Sequence, residues 1–250
     1  MTRSLVSVAL LAAATLGAAQ SSSSGLVEAA HARDRARVSA LLKQGADANG
    51  ADAEGMTALH WAARSGDRPM AALLVGAGAK VDAANKDEAT PLWIAASNGD
   101  APMVELLLKA GAGPNRFAER GETPLGAAAR SGNIPAVKAL LANGANVNMG
   151  DSSKAQTALM WAVGGEKAYP DVVALLLEHG ANPNFRSLDG FAALHFAVRQ
   201  HDIKSARVLL KGGANVNAPG PGGISALQMA IDSGDKELIE FLRAVPAEPR

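Results

Sequence analysis

Apolar and polar positions along this chain recur in blocks of about 33 residues. The run Thr57-Ala-Leu-His-Trp-Ala-Ala63 returns as Thr90-Pro-Leu-Trp-Ile-Ala-Ala96 and Thr123-Pro-Leu-Gly-Ala-Ala-Ala129. It returns again as Thr157-Ala-Leu-Met-Trp-Ala-Val163, Ala192-Ala-Leu-His-Phe-Ala-Val198 and Ser225-Ala-Leu-Gln-Met-Ala-Ile231, at spacings of 33, 33, 34, 35 and 33 residues. A second marker keeps step: Gly45, Gly78, Gly111, Gly144, Gly180 and Gly213 each precede an alanine and follow a leucine by four residues. A period of roughly 20 to 50 residues marks stacked supersecondary units, none of which can bury its apolar face alone.

Each block predicts two short helices. Thr or Ser opens the first by accepting a hydrogen bond from a free backbone N–H, and the proline that often follows suits a first helical turn. Leu59, Ala62 and Ala63 then share one face. Ser65-Gly66-Asp67, Asn98-Gly99-Asp100 and Ser131-Gly132-Asn133 stop that helix and start the next. The second helix carries the set typified by Val104, Leu107 and Leu108, and Gly111 ends it where a left-handed backbone is needed. Polar stretches such as Asn85-Lys86-Asp87 are expected to form hairpin-like turns between blocks.

These residues resemble the ankyrin repeat, with its Thr-Pro-Leu-His-x-Ala signature. Thr57, Leu59, His60, Ala62, Ala63, Gly66, Leu74, Gly78 and Ala79 fall on the motif, and the likeness runs from about Gly25 to Val245. Departures stand out. Ala192 replaces the opening Thr, Glu88 stands at the usual hairpin glycine, and Trp93, Gly126, Met160 and Gln228 replace the signature histidine. The resemblance implies an all-α solenoid of about seven helix-turn-helix units joined by hairpin-like loops. A cap over 25–48 and repeats over about 52–84, 85–117, 118–151, 152–186 and 187–219 are expected, closed by a C-terminal cap over 220–245 and a tail over 246–250. It also implies that His60 and His195 brace neighbouring units. Trp61, Trp161, Phe196 and Met229 read as core.

The first residues break the period. Arg3, the apolar run Leu5 to Leu16 and the small residues Gly17, Ala18 and Ala19 have the three-part layout of an export signal over 1–19. Residues 20–24 then form a polar spacer. The run is shorter than the ~20 residues a membrane crossing needs. A buried or amphipathic helix is the other reading. The expectation is a periplasmic or secreted monomer with no membrane insertion once the signal is removed.

Composition narrows the function. Basic and acidic residues balance at 24 each, so the positive field of a nonspecific nucleic-acid binder is missing. With no cysteine, thiolate zinc sites, disulfides and thiol nucleophiles are excluded. His60 and His195 sit four units apart, too far to share a metal, and no other histidine has a ligand partner at helical spacing. Gly220-Pro-Gly-Gly223 lacks the Lys-Ser or Lys-Thr of a phosphate loop. No catalytic constellation, metal site or cofactor is expected.

Binding by stacked repeats resides on their long concave face. The residues expected there are Met56, Phe117, Arg120, Glu122, Lys154, Phe191 and Ile224 on loops, Arg64, Arg130 and Arg199 as a basic line on first helices, and Trp93 partly open between them. Exposed aromatic and apolar residues beside arginine have the makings of interface anchors. The lengthened stretch Gly164-Gly-Glu-Lys-Ala-Tyr-Pro170 is either a tolerated longer turn or a projecting loop whose Tyr169 touches the partner. The leading expectation is therefore an exported, non-catalytic module that holds another protein as scaffold, inhibitor or stabiliser. A receptor for a peptide or small anionic ligand is the alternative, and a hydrolase sited in the groove a more distant one.

Overall fold

A computed structural model describes residues 25–118 and 121–245 of the chain. The expected export signal, the spacer, Arg120 and the tail lie outside those residues. The described chain folds into pairs of short helices. They are α1 (25–31) and α2 (Arg35–Lys43), then α3 (Ala58–Ser65) and α4 (Arg68–Gly76), then α5 (Pro91–Ser97) and α6 (Ala101–Lys109). The series continues with α7 (Pro124–Ser131) and α8 (Ile134–Ala142), then α9 (Ala158–Gly164) and α10 (Pro170–Glu178). It ends with α11 (Ala193–Arg199) and α12 (Ile203–Lys211), and α13 (Ala226–Ser233) and α14 (Lys236–Arg243). Odd-numbered helices from α3 to α13 pack each on the next, and even-numbered helices from α2 to α12 form a second row.

Local chemistry explains the breaks. Thr90 and Thr123 accept from the Trp93 and Gly126 amides, with Pro91 and Pro124 in the first turn. Asp67, Asp100, Asn133, Asp202 and Asp235 cap the second helices in the same way. The glycines that close those helices have left-handed backbones, as Gly111 does with φ of 92°. At the hairpin position Glu88 and Ala155 take up the left-handed backbone that glycine holds elsewhere, so the departure at Glu88 leaves the turn in place.

The core is a column of small and branched side chains. Ala62, Ala95, Ala128, Ala162, Ala197 and Ala230 are all fully buried, and their size lets adjacent first helices approach closely. Leu74, Leu107, Leu140, Leu176 and Leu209 fill the matching place in the second row. Phe196 is buried as expected. Trp61 and Met229 are half-buried and pack against this core, while for Trp161, also half-buried, the expected core assignment is corrected: it lines a recess with Trp93 and Asp151.

Neighbouring units are also fastened by asparagine. The side chain of Asn49 donates to the Gly78 carbonyl and accepts from the Lys80 amide. Asn115 does the same to Gly144 and Asn146, Asn148 to Gly180 and Asn182, and Asn184 to Gly213 and Asn215. Asp82 holds this place between the units of α4 and α6. Its carboxylate accepts from the Gly113 amide at 3.0 Å but has no proton to offer a carbonyl. Asp82→Asn should restore the second bond and raise stability by about 0.5–1 kcal/mol. An unchanged or lower urea midpoint would rule this out.

Between units the chain turns through tight loops bridged at Ala51–Thr57, Gly150–Thr157 and Pro219–Ser225. Loop tips also bond to each other. The Lys86 amide donates to Glu54, Ser152 to Gly121 and Leu188 to Lys154. No helix among the described residues is long and apolar enough to cross a membrane.

Candidate functional site

A depression lies in the middle of the array, on the face of first helices and hairpins. It is a recess of about 560 Å³ between Trp93 on α5 and Trp161 on α9. Glu122 and Arg130 line one side, and the hairpin residues Asp151, Ser153, Lys154 and Gln156 the other.

Substitution of the signature histidine shapes this recess. In the second unit His60 spans the gap to the next hairpin. Its Nδ1 accepts from the Thr57 amide at 3.0 Å, which leaves Nε2 as donor to the Ala89 carbonyl at 3.0 Å. In the third unit Trp93 stands there, and its Nε1 donates to Glu122 Oε2 at 3.2 Å across the same 29-residue separation. Glu122 also accepts two bonds from Arg130, at 3.0 and 3.2 Å. The guanidinium is held above its ordinary pKa by that carboxylate. In the fourth unit the position is Gly126, with no side chain to fill the gap. Trp161 comes in over it, with Cδ1 3.2 Å from where a Cβ would be.

A comparison within the chain shows what this costs. Trp61 donates through Nε1 to Asp52 Oδ2 at 3.2 Å, and His31 stacks on its ring at 3.9 Å. Trp161 and Asp151 hold the equivalent places. Yet Trp161 Nε1 and Asp151 Oδ2 are both buried without a hydrogen-bond partner. The other carboxylate oxygen of Asp151 is fully used, accepting from the Ser153 amide and hydroxyl and the Lys154 amide.

The expected surface residues fare unevenly. Phe117 and Ile224 are exposed, at 40% and 41%, as are Arg64, Arg199 and Lys154. Trp93 lies partly open. Met56 and Glu122 are corrected: at 6% and 7% exposure they are buried. The residue before the opening Thr turns under the hairpin, where Met56 Sδ accepts from Asn85 and Glu122 meets Trp93. Ile224 occupies the same place in the last described unit, which explains its exposure. Phe191 is half-buried against Phe196, and Arg199 lies over both rings. The basic line of Arg64, Arg130 and Arg199 is interrupted, because Arg130 is bound to Glu122, and the loop residue Lys154 pairs with Asp189 at 3.2 Å.

Tyr169 is corrected as well. Its amide donates to Ala162 as the capping Asp67 donates to Ala62, so Tyr169 occupies the cap position of α10. The extra residues are absorbed in the turn before it. The ring is half-buried, packed against Gly132 of the preceding unit. Sequence reasoning missed Asp151 and Gln156, and took Trp161 for plain core. It also missed Leu188, which at 75% exposure stands at a hairpin tip. The one available signal was the run of departures at the signature histidine.

Among the described residues no group of three His, Asp or Glu side chains could hold a metal. His195 resembles His60 only in part. Its Nδ1 accepts from the Ala192 amide at 3.1 Å, while Nε2 is buried without a partner. Burial pushes the pKa of both histidines below the ordinary value.

Known proteins agree with this architecture. A family model described as ankyrin repeats (3 copies) matches residues 8–85, 73–151, 92–187 and 159–249. The ankyrin repeat domain of human ASB11 superposes with a TM-score of 0.78 at 28% identity, covering 90% of this chain and 99% of that one. The ankyrin repeat protein EF0377 superposes with a TM-score of 0.69 at 30% identity, covering 76% of this chain and 98% of that one. Among curated relatives, protein PhlB of Serratia liquefaciens is 40% identical over 82 residues, 32% of this chain and 35% of its own length. A putative ankyrin repeat protein of Rickettsia felis is 29% identical over 108 residues, 41% of this chain and 48% of that one. The chain thus spans less than half the length of either relative. By its repeat period, its stacked helix pairs and the family match along its length, the chain belongs to the ankyrin-repeat family.

Proposed function

We propose that this protein is an exported, non-catalytic binding module, periplasmic or secreted and monomeric, that holds a partner protein on the face of first helices and hairpins. Ankyrin repeats mediate protein–protein interaction in general. The observation that carries the reading here is the central recess. There the chain departs from its own repeat at Trp93 and Gly126 and leaves two buried polar atoms unpaired. Unpaired buried groups cost stability, of order 1–3 kcal/mol each; His195, Asp202 and Ser205 hold such atoms elsewhere in the stack, but Trp161 and Asp151 carry theirs on the wall of a recess that a partner can enter. The residues Arg3 to Ala19 support export by their signal-like layout. The small-anion alternative loses support because Arg130, the middle of the basic line, is already neutralised by Glu122.

The test is affinity capture from an envelope extract with the chain lacking residues 1–19. Phe117→Ala and Trp161→Ala should each weaken capture by about 30-fold or more, the scale of an interface anchor. Capture by both variants at wild-type strength would remove this face from consideration.

A further inference from the structure

The geometry points to the central recess as the seat for a basic side chain, lysine or arginine, presented on an extended segment of the partner. This rests on the binding-module reading and specifies its chemistry.

Charge comes first. Of the four ionisable side chains that line the recess, Glu122 is matched by Arg130 and Lys154 by Asp189. Asp151 has no ion-pair partner among the described residues, although it is only 4% exposed. Its free oxygen, Oδ2, is an acceptor in need of a donor. A buried carboxylate without a counter-charge is costly, and a cation brought to it recovers that cost.

The walls suit the same guest. Two indoles flank the space, and an aromatic face attracts a cation within about 6 Å of its centre. Trp161 already displays this property, since the Arg130 guanidinium sits 5.9 Å from its ring centre. The stem of a lysine or arginine is apolar and packs on such rings while the head reaches a charged partner. The second orphan, Trp161 Nε1, is a donor that needs an acceptor, and a backbone carbonyl of the same segment supplies one. At about 560 Å³ the recess has room for more than one side chain.

The choice of cation over neutral amide rests on the unmatched charge of Asp151 and on the two indole faces; Trp61 and Asp52 show the internal pairing that is missing here. There the same two residue types satisfy each other at 3.2 Å, and no uncompensated atom is left. One unit after Gly126 the indole of Trp161 lies over that glycine, 3.2 Å from where a Cβ would be, and its Nε1 does not bond Asp151, so the carboxylate is left to an incoming group.

The test uses capped pentapeptides, N-acetyl and C-amide, with a single Lys, Arg, Gln, Leu or Glu among alanines. Binding to the chain without residues 1–19 is read from the indole N–H resonance assigned to Trp161 by its loss in Trp161→Phe. The Lys and Arg peptides should shift that resonance at millimolar concentration, and the Gln, Leu and Glu peptides should not. Asp151→Asn should weaken the Lys peptide by about tenfold or more and leave the fold intact, since Asn85 serves the equivalent hairpin with its Oδ1. Unchanged melting temperature for Asp151→Asn confirms that comparison. Equal binding of the Gln peptide, no loss on Asp151→Asn, or no shift with any peptide would overturn the assignment. If Trp161→Ala abolishes partner capture while no cationic peptide binds, the recess chemistry fails and the binding module stands. If neither result appears, both fail.

Discussion

Leu107→Ala should remove about 3 kcal/mol of stability, the central value for truncating a buried leucine. Leu107 is fully buried on α6, in the second helix row between α4 and α8. Leucine to alanine removes three carbons from a place with no solvent access, and the branched neighbours on either side cannot all close in. The expected consequence exceeds a simple shift in midpoint. In a stack each unit is stabilised by the two it touches, so a weak central unit uncouples the flanking ones. Urea unfolding followed by circular dichroism should therefore lose its single steep transition and develop a plateau. Leu242→Ala, at an almost fully buried place on the terminal helix α14, should cost less cooperativity because its unit has one neighbour among the described residues. A shift under about 1 kcal/mol for Leu107→Ala with one sharp transition would refute the argument.

The second large effect is expected at His60. His60→Ala should cost about 3–4 kcal/mol, because it leaves the Thr57 amide and the Ala89 carbonyl, both buried, without a partner and opens a void beside them. His195→Ala should cost less, by about 1–2 kcal/mol, since only one nitrogen of that ring is bonded. Acidity should act on both rings. In the fold burial lowers the pKa of both side chains, which favours their neutral form. The unfolded chain takes up protons as the pH drops through about 6.5, whereas the folded chain takes them up only at lower pH. Stability is thus complete above that value and falls below it, at no more than about 1.4 kcal/mol per pH unit for each ring. Melting temperatures between about pH 7 and about pH 5 should decline in the wild type and decline less in His60→Gln. A flat profile, or equal costs at the two histidines, would contradict this account.

Much of the fold was legible because its determinants are local and repeated. Thr90, Pro91 and Asp100 act on their own helices, and Leu107 repeats at every unit. The all-helical, seven-unit solenoid follows from them. The candidate site was harder, since its residues matter only across units. Met56 and Glu122 look like loop residues in isolation. They are buried because the hairpin folds the position before Thr beneath its neighbour, a fact no single repeat contains. Tyr169 sits in a longer segment, yet hydrogen bonding at Ala162 pulls it into the cap position and turns its ring onto Gly132. Trp93 and Gly126 were visible as departures from the motif. What could not be seen is that they open one recess together with Asp151 and Trp161, which stand one unit further on.

The asparagine fastening has an evolutionary corollary. Asn115 reaches forward to Gly144 and Asn146, while Gly113 of the same unit receives Asp82 from behind. Every internal unit so joined carries plug and socket alike. A tandem duplication therefore inserts a module already matched on both sides, and recombination can lengthen or shorten such an array without retuning its junctions.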